Sequence, residues 1–359
     1  MNRRHFLHSA GAATAALALP RATRALADDG AGWRTFEVTT SVEVLKPAGA
    51  TRVWLPLPLI ADTSYQKALG STHKAEGGQV REVKDADTAT AILAAEWPEG
   101  VRPLLTLTSG VRTLNRATDF GARAFVPALD ARERARYLQA TALVPTHGIV
   151  KSTADQAVRG ATSDEAKARA IYEWIVDNTF RDPKVKGCGK GDIRYMLESK
   201  NMGGKCADIN ALYVGMARAA GLPARHVYGL RLVKSEKGFK SLGPSTEVCT
   251  KGQHCRAEVY LASLGWVPVD PADVRKVVLE EPPGNLTMED PLVRQARSQL
   301  FGSWEMNWMA FNYGHDVMLP GSKGPAIAYF MYPQGETAAG RLDPFDPDGF
   351  KYTVTARQV

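Results

Sequence analysis

The chain has 359 residues, 44% of them hydrophobic and 23% charged, proportions that exclude a disordered chain, a collagen-like repeat and a disulfide-scaffold peptide. At about 100–200 residues per domain the length predicts two domains, each able to bury a core. The formal charge of +7 falls to +3 without the first 27 residues, which hold Arg3, Arg4, Arg21 and Arg24 and no acid; so weak a basicity predicts no nucleic-acid partner.

Those first residues, 1–27, read as a twin-arginine-type export signal. Asn2 to Leu7 supply a charged front, Ala10 to Pro20 an apolar stretch and Ala25-Leu26-Ala27 a small-residue cleavage site. The apolar stretch is too short to span a bilayer, and no later run of about 18 apolar residues exists, so the mature chain is expected in the periplasm with no membrane span. From Thr35 to Leu45 the apolar Phe36, Val38, Val42 and Val44 take even positions, the pattern of a half-buried strand. Further strand-like runs at Thr51–Leu57 and Pro103–Val111 predict a β-sandwich-like N-terminal domain over residues 28–127.

Helical patterning follows over Ala131–Leu143 and Asp164–Asn178, the second opening on a Thr162-to-Glu165 capping box with Ile171, Trp174 and Ile175 on one face. A core of residues 128–285 thus begins with helices. Gly203-Gly204 precede an apolar stretch, Ala207–Ala219, which Gly221-Leu222-Pro223 stops. Arg225–Val233, Arg256–Leu261 and Trp266–Val269 read as strands, the last two as a hairpin around Ala262–Gly265. Residues 286–359 are expected to pack back on the core or the N-terminal domain, with a last strand at Phe350–Ala356. Trp304, Trp308, Phe311 and Tyr313, near Glu305 and His315, suit packing better than the lining of a cleft.

Cys206 falls between two glycines and a helix, where unpaired amides and the positive helix end favour thiolate and could hold an oxyanion. The glycines would let substrate and backbone approach. His254 and Asp270 lie toward one open end of the hairpin, where an imidazole can take the thiol proton and a carboxylate can fix its tautomer. His254, Arg256, Glu258 and Tyr260 share one strand face, and Cys255 faces the other way.

The run Gly203-Gly204-Lys205-Cys206-Ala207-Asp208, then Ala219 to Arg225, then His254 to Glu258, then Gly265 to Pro271, resembles the bacterial transglutaminase-like family. The resemblance implies an α+β fold with a papain-like core and assigns its catalytic Cys, His and Asp to Cys206, His254 and Asp270. It implies cysteine-dependent acyl transfer on amide or peptide bonds through a thioester, as an amidase, a peptidase or a transglutaminase. Peptide, protein or peptidoglycan-stem substrates are then expected; the alternative is a non-catalytic peptide- or envelope-binding protein on the same scaffold. Arg256 stands where the family often has an aromatic residue, which predicts a more polar cleft on the acceptor or leaving-group side.

Zinc at Cys249, His254 and Cys255, with Cys188, lacks the usual ligand spacing, and no Gly-x-Ser-x-Gly elbow or glycine-rich nucleotide loop is present; no metal or organic cofactor is implied. In an oxidising compartment Cys249 and Cys255 are expected to form a disulfide, with Cys188–Cys206 as the alternative that would silence the nucleophile.

Overall fold

Strand β1 (Arg34–Val44) buries Phe36, Val38, Val42 and Val44, as its alternation requires, in a computed structural model that describes residues 32–122 and 126–359. The export signal lies outside the described residues. After β1 come β2 (Thr51–Pro56), β3 (Gln66–Lys74), β4 (Gln79–Asp85), β5 (Thr90–Trp97) and β6 (Leu104–Thr113). They divide between two antiparallel sheets, β1-β6-β3 and β2-β5-β4, whose inner faces enclose Val42, Val53, Leu93, Trp97 and Leu105. Strand β5 carries no alternation because seven of its eight residues are buried.

The short β7 (Arg116–Ala117) leads to a helical layer of α1 (Ala131–Leu138), α2 (Ile149–Ala157) and α3 (Asp164–Asn178). Helix α1 stops five residues short of the expected end, with Gln139 already extended. Helix α3 is capped by Ser163, whose hydroxyl accepts from the Ala166 N–H, one residue beyond the expected Thr162. Its buried face carries Ile171, Tyr172 and Ile175, with Trp174 half-buried.

Next follow β8 (Phe180–Arg181), α4 (Ile193–Ser199), β9 (Gly203–Gly204), which pairs in parallel with β8, and α5 (Cys206–Ala219). Helix α5 is enclosed almost completely. It ends where Gly221 turns left-handed (φ 85°) and the Leu222 N–H reaches back to the Ala217 carbonyl. Against α5 lies the core sheet, β10 (Ala224–Arg231), β11 (Gln253–Leu261) and β12 (Gly265–Val269), followed by α6 (Pro271–Glu280) and α7 (Pro291–Gln299).

The chain then returns through both layers. After β13 (Ser303–Trp304), which pairs with β7, strand β14 (Trp308–Asn312) joins the core sheet beside β10 and gives the order β12-β11-β10-β14. Beyond β15 (His315–Val317) and β16 (Ile327–Tyr329), β17 (Gln334–Thr337) pairs with β2 and with β18 (Gly340–Arg341), and β19 (Phe350–Gln358) pairs with β1 along its length. The sandwich is therefore not a contiguous stretch of chain. Its outer strands come from the C-terminal segment, and Trp304 and Trp308 are buried packing residues as expected.

Far from the helix start, Glu258 is fully buried between Arg225, at 2.6 Å, and Arg116; Arg225 lies between the Trp266 and Tyr313 rings. Glu258→Gln leaves two guanidiniums short of a counter-charge. We expect the variant to lose about 3 kcal/mol in urea titration with no change in reactivity at Cys206.

Candidate active site

Packing alone requires glycine at positions 203 and 204. A Cβ on Gly203 would stand 2.5 Å from the Phe180 ring, and one on Gly204 2.6 Å from the Asp208 Cβ. Asp208 is what they make room for. Its carboxylate accepts from the Lys205 N–H at 3.0 Å and from the Lys190 and Gly191 N–H groups at 2.9 Å each, tying the helix start to the preceding loop. Burial nevertheless raises its pKa. Gly204→Ala should therefore destabilise the fold by about 1–3 kcal/mol, read in thermal denaturation, through displacement of Asp208.

Cys206 opens α5 and is 4% exposed. Hydrogen bonds from the Cys188 and Cys255 thiols, then one from His254 together with its charge, hold Cys206 well below the ordinary thiol range against the opposing effect of burial. Cys188 is pushed up by donating to Cys206 and by burial, and Cys255 by burial and then by Cys206. Both neighbouring thiols are thus shifted toward the protonated form and Cys206 away from it. The Ala207 N–H donates to the Cys188 carbonyl at 2.9 Å and is not available to an oxyanion, which removes one amide from the expected set.

His254 and Asp270 meet just beyond the paired stretch of β11 and β12, Nε2 to Oδ2 at 2.7 Å. Asp270 also caps α6, accepting the Asp273 N–H at 3.1 Å, and Asp273 stands 3.4 Å from the same imidazole nitrogen. Burial and Arg231 oppose the imidazolium, yet Asp273 and Asp270 prevail and raise the His254 pKa. Burial and the neighbouring Asp273 raise Asp270, whereas Asp273 is held low against burial by Arg231, which grips it at 2.5 and 2.7 Å.

Sequence reasoning missed several supporting groups. Asn210, one turn along α5 from Cys206, donates to the Cys255 carbonyl at 2.9 Å and to Asp270 Oδ1 at 3.2 Å. Its i+4 spacing from the cysteine is the signal that could have found it. Trp308 donates its indole N–H to the His254 carbonyl at 2.9 Å and Tyr332 its hydroxyl to Cys188 Sγ at 3.0 Å; both come from distant sequence.

Two expectations are corrected. Arg256 does not make the cleft polar: it is buried behind Asp270, with Nε 3.5 Å from that carboxylate, Nη1 donating to the Glu305 carbonyl, and the Trp304 and Trp308 rings beside it. Nor are Cys249 and Cys255 bridged, since all four cysteines are free. The chain does turn back, Gly252 N–H to Cys249 carbonyl, but β11 then runs extended, and at about 3.3 Å per residue three residues carry Cys255 roughly 10 Å away, beyond the reach of a disulfide. Non-reducing peptide mapping should accordingly show no Cys249–Cys255 linkage.

Among the described residues the metal-competent donor group is His254, Asp270 and Asp273, with ligand atoms within 4.8 Å of one another. The Arg231 and Arg256 guanidiniums already face those carboxylates, which disfavours a cation there. Cys206 and His254 open onto a cleft of about 690 Å³ between the α5–β11 junction and the loop before β19.

A cysteine at the start of a buried helix, sharing a cleft with a strand histidine that is bound to the aspartate capping the next helix, with a β-sandwich in the same fold, defines an α+β protein of papain-like type. Residues 151–271 match the model of the transglutaminase-like superfamily, and residues 1–20 match the twin-arginine translocation signal, which indicates export. An uncharacterized protein of Haemophilus influenzae is 34% identical over 342 residues, spanning 90% of this chain and 91% of its own. The uncharacterized protein YebA of Bacillus subtilis is 28% identical over 110 residues, 29% of this chain and 15% of its own. In fold, a candidate cysteine protease from Cytophaga hutchinsonii aligns over 90% of this chain and 98% of its own with a TM-score of 0.51 at 15% identity. The chain belongs to the transglutaminase-like superfamily.

Proposed function

We propose that this protein is an exported, periplasmic cysteine acyltransferase or amidase in which Cys206 is the nucleophile, His254 the acid and base, and Asp270 the group that orients the imidazole. The observation that carries the reading is the Cys206 environment: a helix-start thiol held toward thiolate, with His254 held toward imidazolium by a 2.7 Å contact to a buried carboxylate.

In the first half-reaction the Cys206 thiolate attacks an amide carbonyl carbon. The C–S bond forms, the C–N bond breaks, and the departing amine takes the His254 proton. In the second half, water or an amine adds to the thioester, His254 removes its proton, and Cys206 leaves as thiolate. Water gives hydrolysis and an amine gives cross-linking. A peptide, a protein or a peptidoglycan stem is the substrate that a periplasmic address supplies. Among the described residues no helix is long and apolar enough to cross a membrane.

The test is capture of the acyl-enzyme. Intact-protein mass spectrometry after incubation with peptide amides should show an adduct on Cys206 that hydroxylamine removes. Binding of the same peptides with no adduct and no turnover would establish the non-catalytic alternative instead.

A further inference from the structure

Among the described residues, the cleft in front of Cys206 is lined by six cationic side chains, Arg181, Lys205, Arg231, Lys251, Lys276 and Lys351, and by no carboxylate. Some of that charge is neutralised from behind. Arg231 is spent on Asp273. Arg181 and Lys276 share a single partner, Glu280, which Lys276 meets at 2.9 Å. Two cations against one carboxylate leave a net positive charge, and it is poorly hydrated, because the Arg181 and Lys276 side chains are 13% and 19% exposed while Glu280 is 36% exposed.

The placement of this pair relates it to the chemistry. Arg181 is on β8, in register with Gly204 two residues before Cys206, and its charge acts on Cys188 beside the nucleophile. Lys276 is on α6, the helix that Asp270 caps. Burial, Arg231 and Arg181 together weigh against its ammonium, more than Glu280 offsets. A positive group held half out of water near like charges is stabilised when an anion enters. Tyr332, Phe345, Phe350 and Tyr352 add aromatic surface to the same cleft.

Resting on the acyl-transfer reading of Cys206, we propose that the acyl donor is an acidic peptide whose carboxylate binds Lys276 and Arg181 while its scissile amide lies against Cys206. The carboxylate belongs either to an acidic side chain or to a free chain terminus.

Two measurements on the full chain test this. The first compares iodoacetate, an anion, with iodoacetamide, its neutral analogue; in each the Cys206 thiolate displaces iodide, forming C–S as C–I breaks. Mapped at Cys206, the iodoacetate-to-iodoacetamide rate ratio should exceed that of a free cysteine peptide by roughly tenfold at low salt and fall with added salt. Lys276→Met should return the ratio toward the free-peptide value, and Lys276→Arg should keep it high. A wild-type ratio equal to that of the free peptide overturns the proposal, whereas slow reaction with both reagents at a raised ratio overturns only the thiolate reading.

The second needs no chemistry. Calorimetry on Cys206→Ala compares a glutamyl peptide amide, its glutaminyl counterpart and a neutral peptide with a free C-terminus. At least one carboxylate-bearing peptide should bind about tenfold more tightly than the glutaminyl amide, and Lys276→Met should remove the difference. Preference for the glutamyl amide assigns the site to a side chain, and preference for the free terminus assigns it to a chain end. Equal affinity for all three peptides overturns the proposal.

Discussion

Cys206→Ala should lower turnover by ~10³-fold or more while the unfolding free energy shifts by under about 1 kcal/mol. The side chain is small, and α5 keeps the Asp208 contacts that fix its start. The pH profile of iodoacetamide alkylation in the wild type carries the mechanism. Cys206 is lowered, so thiolate persists at pH values where an ordinary thiol, of pKa about 8.5, is protonated. His254 is raised, so imidazolium survives above its ordinary 6.5. Activity that needs both forms rises as Cys206 loses its proton and falls as His254 loses its own, giving a bell. Alkylation needs the thiolate alone and keeps only the acid limb. An acid limb at the free-thiol position would remove the physical basis of the nucleophile assignment.

His254→Ala should cost nearly as much activity as loss of Cys206, and it should move the alkylation limb upward, because the hydrogen bond and charge that favour thiolate are gone. Asp270 separates orientation from folding. Asp270→Asn keeps an oxygen for the Asp273 N–H that starts α6 but loses the charge that holds the imidazolium, so activity should fall by about 10²-fold with a modest change in stability. Asp270→Ala should destabilise by about 3–5 kcal/mol, since it uncaps α6 and leaves Arg256 buried with less counter-charge. Equal losses of activity and stability in the Asn and Ala variants would make Asp270 a structural residue and not an orienting one.

The sequence by itself determined the local features. Alternation marked β1, two glycines before an apolar run marked the start of α5, and Cys206 and His254 were marked as residues that turn out to line one cleft, with Asp270 buried behind His254. These are legible because strand pleat and helix period are imposed by neighbours in the chain. What crosses the chain was not legible. Strand β5 is buried on both faces and so carries no pattern, and the sandwich is completed by β17 and β19, whose partners β2 and β1 lie some 300 residues earlier. Arg256 read as a cleft residue because it stands where the resembled family often has an aromatic residue, which says nothing of what covers it here; Trp304 and Trp308 lie beside it. Cys249 and Cys255, near in sequence, are kept unbridged by the extended course of β11, while Cys188, 18 positions before Cys206, lines the same cleft and gives its thiol to the Gln253 carbonyl. The charge balance of the cleft likewise belongs to tertiary structure alone, because whether Lys276, Arg181 and Arg231 are neutralised depends on which of them share Glu280 and Asp273, and Coulomb interactions depend on distance in space rather than along the chain.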